Sequence, residues 1–253
     1  MTARDIVAYL EQRSPTRGQE EGFKFGDPNA PVNGVLVCWM ATLPALEHAV
    51  AQGCNLVICH ETIFFPDSRA IEREMCWPCN RRKLEIMSSG RLVLFRAHGA
   101  LDTLCIYEDF AAALGLSRVA RGEGYYRIFT TQPLKVADLA ARVKEAVGMS
   151  FVRMAGNPDR VVSKIGLPWG GLGLFVNIGF MQDMVEAGAE AVICGESDEY
   201  AMRFANDSGL ELIETGHSVS EAFGLRHFAQ DLQAAFPDVR IVYFDNGPGW
   251  ATV

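Results

Sequence analysis

No stretch of this 253-residue chain approaches the roughly 18–20 consecutive apolar residues that a membrane-spanning helix needs. Basic residues are the minority: 23 Lys and Arg stand against 31 Asp and Glu, for a formal charge of −8. That balance argues against non-specific binding to nucleic acid or to anionic lipid, but it leaves room for a small anionic substrate held through metal ions. Residues 1–10 have no basic flank, apolar run or small-residue cleavage site, so no signal peptide is expected. No segment is of low complexity. The seven cysteines are an odd number, and Cys38, Cys59, Cys105 and Cys194 fall in apolar strand-like runs. Buried, reduced thiols in a cytoplasmic protein are the expectation.

Histidine is scarce, with five in the chain. Three of them close strand-like segments. Residues 55–60 end in His60, followed at once by Glu61. Residues 91–98 end in His98, with Asp102 one helical turn later. Residues 210–217 end in His217, with Glu221 one turn later. The other two, His48 and His227, fall in helical patterns and read as structural.

The remaining composition is that of an ordinary globular protein, 49% hydrophobic and 21% charged. The length suits one large domain or two small ones. Residues 3–13 read as an amphipathic helix, and 16–31 as a polar loop rich in Gly and Pro. Strands then alternate with helices: strands at 34–39, 55–60 and 91–97, helices at 43–52, 67–89 and 102–114. Gly53, Gly90 and Gly115 are the stops. The alternation predicts an α/β fold of parallel βαβ units, with both sheet faces covered.

Gly122 and Gly124 among charged residues mark a plausible boundary within 118–126. Beyond it, strand patterns at 125–131, 151–154 and 161–167 with a helix at 135–147 read as a second, smaller α/β layer containing a hairpin. A glycine-rich loop covers 168–173. Helices at 177–187, 198–208 and 218–235 alternate with strands at 190–195, 210–215 and 239–245. The division expected is residues 1–124 with 215–253, carrying most of the candidate ligands, and 125–214.

An open parallel sheet gathers the carboxyl ends of its strands at one edge, where ligands bind. If the three histidine-terminated strands are neighbours, three imidazoles and three carboxylates converge. Such a set suits two divalent cations about 3.5–4 Å apart, which acidify water and polarise a phosphoryl or carbonyl oxygen. Mixed imidazole and carboxylate donors admit Zn, Fe or Mn. A glutamate beside the water can act as general base. The bland alternative is that Asp102 and Glu221 only stabilise helix N-termini.

Four weaker features stand apart. Gly170-Gly171-Leu172-Gly173 could present N–H groups to a phosphate, or merely turn the chain. Cys76-Trp77-Pro78-Cys79 has redox-motif spacing within a charged helical stretch, where incidental cysteines are the plainer reading. Arg81, Arg82 and Lys83 read as a solvated face. Glu196 ends a further apolar strand and is either near the site or a helix-start carboxylate.

The segments 33–42, 49–61, 98–102, 192–196 and 216–221, in this order and spacing, resemble the YbgI family of NGG-one-interacting-factor-three-like dinuclear metal proteins. The resemblance runs over nearly the whole chain, and Gly216-His217 followed by Glu221 is its most telling part. It implies two interleaved α/β domains with mainly parallel sheets flanked by helices, a ring-shaped homohexamer, and metal ligands at His60, His98, Asp102, His217 and Glu221. The sixth family position, usually a second histidine, is Glu61 here. Members are often named as resembling a GTP cyclohydrolase.

The resulting expectation is a protein holding two divalent metal ions (Zn, Fe or Mn) that hydrolyses a small phosphorylated or nucleotide-like molecule. Its ligands are His60, Glu61, His98, Asp102, His217 and Glu221, with Glu221 or Glu61 as proton acceptor. The alternative is a non-enzymatic, metal-binding oligomeric scaffold or interaction protein. A third reading makes Cys76 and Cys79 a thiol centre.

Overall fold

The structure, a computed structural model, describes residues 1–14, 20–66 and 72–251. Helix α1 (Ala3–Arg13) opens with a capping box. The Thr2 hydroxyl accepts the Asp5 N–H, and the Asp5 carboxylate accepts the Thr2 N–H. Its apolar stripe of Ile6, Val7 and Leu10 is buried. There follow β1 (Gly22–Phe25), β2 (Gly34–Cys38), α2 (Leu43–Ala51), β3 (Leu56–Cys59), α3 (Glu72–Met75), α4 (Pro78–Ser89), β4 (Val93–Arg96) and α5 (Gly99–Leu101). A π-helical turn, Asp102–Ile106, leads into α6 (Tyr107–Ala113). The rest of the chain forms β5 (Val119–Arg121), β6 (Ile128–Lys135), α7 (Val136–Ala146), β7 (Arg153–Ala155), β8 (Val161–Gly166), α8 (Ile178–Glu186), β9 (Ala191–Cys194), α9 (Glu199–Asp207), β10 (Glu211–Glu214), α10 (His217–Ala235) and β11 (Arg240–Phe244).

The chain divides into two units that interleave in sequence: Met1–Ile106 with Gly224–Asn246, and Tyr107–Phe223 with Gly247–Val253. The first unit holds a five-stranded sheet of order β1-β4-β3-β2-β11. Its three pairings from β11 to β4 run parallel, and β1 closes the edge antiparallel to β4. Every residue of β2, β3 and β4 is buried, as expected of strands covered on both faces. One layer of this core joins Leu36, Val57 and Leu94 of the sheet to Leu46, Ile86 and Met87 of α2 and α4.

The second unit holds a six-stranded sheet of order β5-β6-β8-β9-β10-β7. Strands β8, β9 and β10 are parallel, and the flanking strands are antiparallel. Val192, Cys194 and Leu212 pack against Met181 and Met184 of α8 and Ala205 of α9.

The structure alters the sequence reading at several places. Within the expected loop 16–31, residues 22–25 form strand β1, and residues 16–19 lie outside the described residues. The strand exists because β4 offers an open edge, and the Phe23 ring meets Phe95 edge-on at 5.0 Å. Strand β5 was likewise hidden, because its three residues are exposed and carry no burial pattern. The strands after α7 do not form a hairpin: β7 pairs with β10 at the far edge, while β8 pairs with β6 and β9. The single helix expected over 67–89 is broken at Cys76-Trp77, with Pro78 opening α4; residues 67–71 lie outside the described residues.

Candidate metal centre

Parallel pairing of β3 with β4 sets Cys59 opposite Arg96, so the two strands end level with one another. The next residues of both are candidate donors or their supports. His60 and Glu61 donate their N–H groups to the Trp39 carbonyl at the end of β2. Asn246, after β11, clamps that same corner by accepting from the Trp39 and Met40 N–H groups. His98 sits at the start of α5, and its carbonyl accepts the N–H groups of Leu101 and Asp102. The His60 and His98 rings lie 4.6 Å apart, and His60, His98 and Asp102 each offer a donor atom within 4.8 Å of the others.

The nitrogens of these rings are not equivalent. His60 is fully buried, and its Nδ1 lies 3.1 Å from the Ala97 carbonyl oxygen. A carbonyl can only accept, so Nδ1 carries the proton and Nε2 keeps a lone pair. That Nε2 lies 3.8 Å from Asp102 Oδ1. His98 repeats the arrangement: Nδ1 is 3.0 Å from Glu20 Oε1, and Nε2 is 3.6 Å from Glu61 Oε1. Burial draws the His98 pKa down, but hydrogen bonding to Glu61 and attraction to Glu61 and Asp102 outweigh it, so it ends above the ordinary value. A backbone hydrogen bond lowers the Glu20 pKa most; burial opposes it, and His98 and Arg96 add to the lowering, so it ends below the usual carboxylate range.

The second unit has its own imidazole–carboxylate group. Strands β9 and β10 pair in parallel with Cys194 opposite Glu214, and the two turns that follow carry Glu196 and His217. His217 Nδ1 is 3.0 Å from Glu196 Oε2, and its Nε2 is 3.3 Å from Glu221 Oε1 one helical turn on. Glu221 is buried. The glycine-rich loop lies against this pair. Gly170 donates its N–H to Ser220 Oγ, which in turn donates to the His217 carbonyl. With φ of +53°, Gly170 has no room for a side chain: a β-carbon there would overlap Glu221 Oε1 and stand 3.2 Å from His217 Nε2. The loop is therefore packing for the imidazole–carboxylate pair, and the Gly170 N–H is already committed to a hydroxyl.

These observations test whether metal suits the residues. In all three histidines an acceptor holds Nδ1, and Nε2 faces a carboxylate oxygen. Two acceptors face one another favourably only with a cation between them, either a proton or a metal ion. Fixing Nδ1 with a carbonyl or carboxylate is also how proteins orient metal-binding imidazoles. The mixed nitrogen and oxygen donors suit Zn, Fe or Mn. The residues fit divalent metal.

Three supporting residues were not visible in the sequence. Glu20 lies in the segment read as a loop, and the Ala97 carbonyl carries no side-chain signal. Arg96 is buried at the end of β4, where it donates to the His60 carbonyl at 3.1 Å and reaches Glu61 Oε2 at 3.5 Å. Lys83 corrects the reading of a solvated basic face. Its side chain is buried, with Nζ donating to the Ile63 carbonyl and lying 4.6 Å from the Phe65 ring centre, while Arg81 and Arg82 are exposed. Burial lowers the Lys83 pKa, opposed by the nearby thiols of Cys59, Cys79 and Cys38. Cys76 is exposed and Cys79 half-buried in the first turn of α4, both as free thiols; Cys38, Cys54, Cys59, Cys105 and Cys194 are buried. His48 packs on Phe244, and His227 faces Asp231.

Among the described residues, no helix is long and apolar enough to cross a membrane. A sequence profile described as Duf34/NIF3 (NGG1p interacting factor 3) matches residues 1–248. A protein of Neisseria meningitidis serogroup B, named GTP cyclohydrolase 1 type 2 homolog, is 25% identical over 251 residues, covering 96% of this chain and 93% of the relative. A solved Bacillus cereus protein related to NIF3 superposes with a TM-score of 0.83 at 16% identity, over 100% of this chain and 99% of its own. The solved protein ybgI, described as of unknown function, superposes with a TM-score of 0.78 at 21% identity, over 99% of this chain and 100% of its own. At those identities the structures speak for the fold, and the profile match over nearly the whole length makes this chain a member of the Duf34/NIF3 family.

Proposed function

We propose that this protein binds two divalent metal ions and hydrolyses a small phosphorylated or nucleotide-like molecule. The ligands in this reading are His60, Glu61, His98, Asp102, His217 and Glu221. The observation that carries it is the repeated imidazole arrangement, in which Nδ1 is held by an acceptor and Nε2 faces a carboxylate oxygen. The name of the relatives, GTP cyclohydrolase 1 type 2 homolog, favours a nucleotide-like substrate.

When bound, the ions would supply Lewis-acid activation of water and of the substrate's phosphoryl or carbonyl oxygen. The chain's own residues do the rest. Ala97, Glu20 and Glu196 keep each imidazole in one tautomer and orientation. Asp102 and Glu221 would contribute carboxylate oxygens to hold the ions. Glu61 or Glu221 takes the proton released from water. The assembly, by family resemblance, is a homohexamer.

The test is elemental analysis of untagged protein together with native mass, followed by a panel of phosphodiesters, nucleotides and amides. Near two ions per chain with metal-dependent turnover is the expected result. Two ions without turnover would favour the scaffold reading, and no ion after reconstitution overturns the proposal. His217→Ala should remove metal and turnover together; full metal content in that variant would remove His217 from the ligand set.

A further inference from the structure

Glu61, which stands where the family resemblance implies a second histidine, is tied to a partner on the next strand. Arg96 lies one strand away and its side chain is 9% exposed; that of Glu61 is 15% exposed. A guanidinium so nearly buried is costly unless its donors are met. Here Nε donates to the His60 carbonyl at 3.1 Å, and Nη2 reaches Glu61 Oε2 at 3.5 Å. The Thr62 N–H also donates to Oε2, at 3.3 Å. One carboxylate oxygen is therefore engaged from two sides. The other, Oε1, is turned to His98 Nε2 at 3.6 Å, on the face where His98, His60 and Asp102 gather.

We propose that Glu61 and Arg96 together replace one histidine ligand, with Arg96 as the positioning residue that commits Oε2 and presents Oε1 to the cation. The inference rests on the metal-binding reading above. Charge explains why the pair is needed. A neutral imidazole contributes no net charge, and a bare carboxylate in its place would add one negative charge beside Asp102. A carboxylate joined to a guanidinium again sums to zero. The exchange keeps the charge of the site while replacing nitrogen with oxygen, so it moves metal preference away from Zn and toward Mn or Mg. It also ties the two positions together: an imidazole at position 61 would face an uncompensated guanidinium.

The experiment is a competition titration of the metal-free full chain with Mn and with Zn against a chelating indicator. The variants are Arg96→Ala, Arg96→Lys, Glu61→His and Glu61→His with Arg96→Ala, with the Co(II) absorption spectrum recorded for each. Arg96→Ala should weaken binding of the second Mn ion by about 10–100-fold, the usual effect of removing a residue that holds a ligand. Arg96→Lys should recover part of that loss. Glu61→His alone should bind the second ion poorly, and adding Arg96→Ala should restore it with a preference for Zn. The Co(II) spectrum should change with Arg96 although Arg96 is not itself a ligand. Unchanged Mn affinity in Arg96→Ala, or an Arg96→Ala effect equal in the Glu61 and Glu61→His backgrounds, overturns the inference. If Arg96→Ala does not fold, the Arg96→Lys and Glu61→His arms decide. A wild-type chain that binds no metal would instead overturn the metal-binding reading itself, which separates the two failures.

Discussion

Replacing Gly170 with alanine adds one methyl group, and its consequences follow from two separate causes. The backbone at Gly170 has φ of +53°. A residue with a β-carbon pays about 1–2 kcal/mol to adopt that conformation. For a chain of this size, 1 kcal/mol corresponds to roughly 2–4 °C, so the metal-free Tm should fall by about 2–8 °C. The second cause is local: the new β-carbon overlaps Glu221 Oε1 and stands 3.2 Å from His217 Nε2. Glu221 is buried and cannot swing into solvent, so the imidazole–carboxylate pair must separate. Metal affinity should therefore fall by about 10–100-fold, beyond what the stability loss explains. Thermal scans of metal-free protein measure the first effect, and titration with Zn or Mn measures the second. Gly179→Ala is the control, because a β-carbon there meets nothing within 4 Å and helix α8 gains a better former. A Tm loss with unchanged metal affinity would refute the placement of the loop against His217 and Glu221.

Glu196→Gln and Glu20→Gln should each lower metal affinity by about 10–100-fold with little change in metal-free stability, because an amide supports the imidazole less well than a carboxylate; equal affinity in both variants would show that the Nδ1 contacts are incidental. Lys83 gives a pH signature. Its folded pKa is lowered by burial, so between that value and the ordinary lysine value of ~10.4 the unfolded chain holds more protons and stability rises with pH. Below that window the cost of the buried charge is present in full. In Lys83→Met the cost is gone, so the stability of wild type relative to the variant should improve as pH climbs through the window. Loss of the bond to the Ile63 carbonyl shifts the comparison by a constant and leaves its slope intact. Urea titrations across alkaline pH measure this, and a flat difference would mean Lys83 titrates normally.

The sequence by itself determined the order and type of most elements. Strand β3 is an unbroken apolar run, α2 carries a helical stripe ended by Gly53, and β11 is a short apolar strand after a long helix. These are local signals: side-chain periodicity and glycine stops act within one element and need no distant partner. The histidines at the strand ends were legible for the same reason, since a parallel strand must end at the edge where its neighbours end. Tertiary structure decided what depends on distant partners. Strand β1 forms because β4 has an open edge, and β7 crosses to β10 although β8 is nearer in sequence. Lys83 is buried because loop and sheet close over it, although its neighbours Arg81 and Arg82 face water. Glu20 holds His98 from 78 residues away, and Arg96 reaches Glu61 from the next strand. Imidazole tautomer, carboxylate orientation and buried charge are properties of pairs, and the pairs exist only once the sheets have assembled.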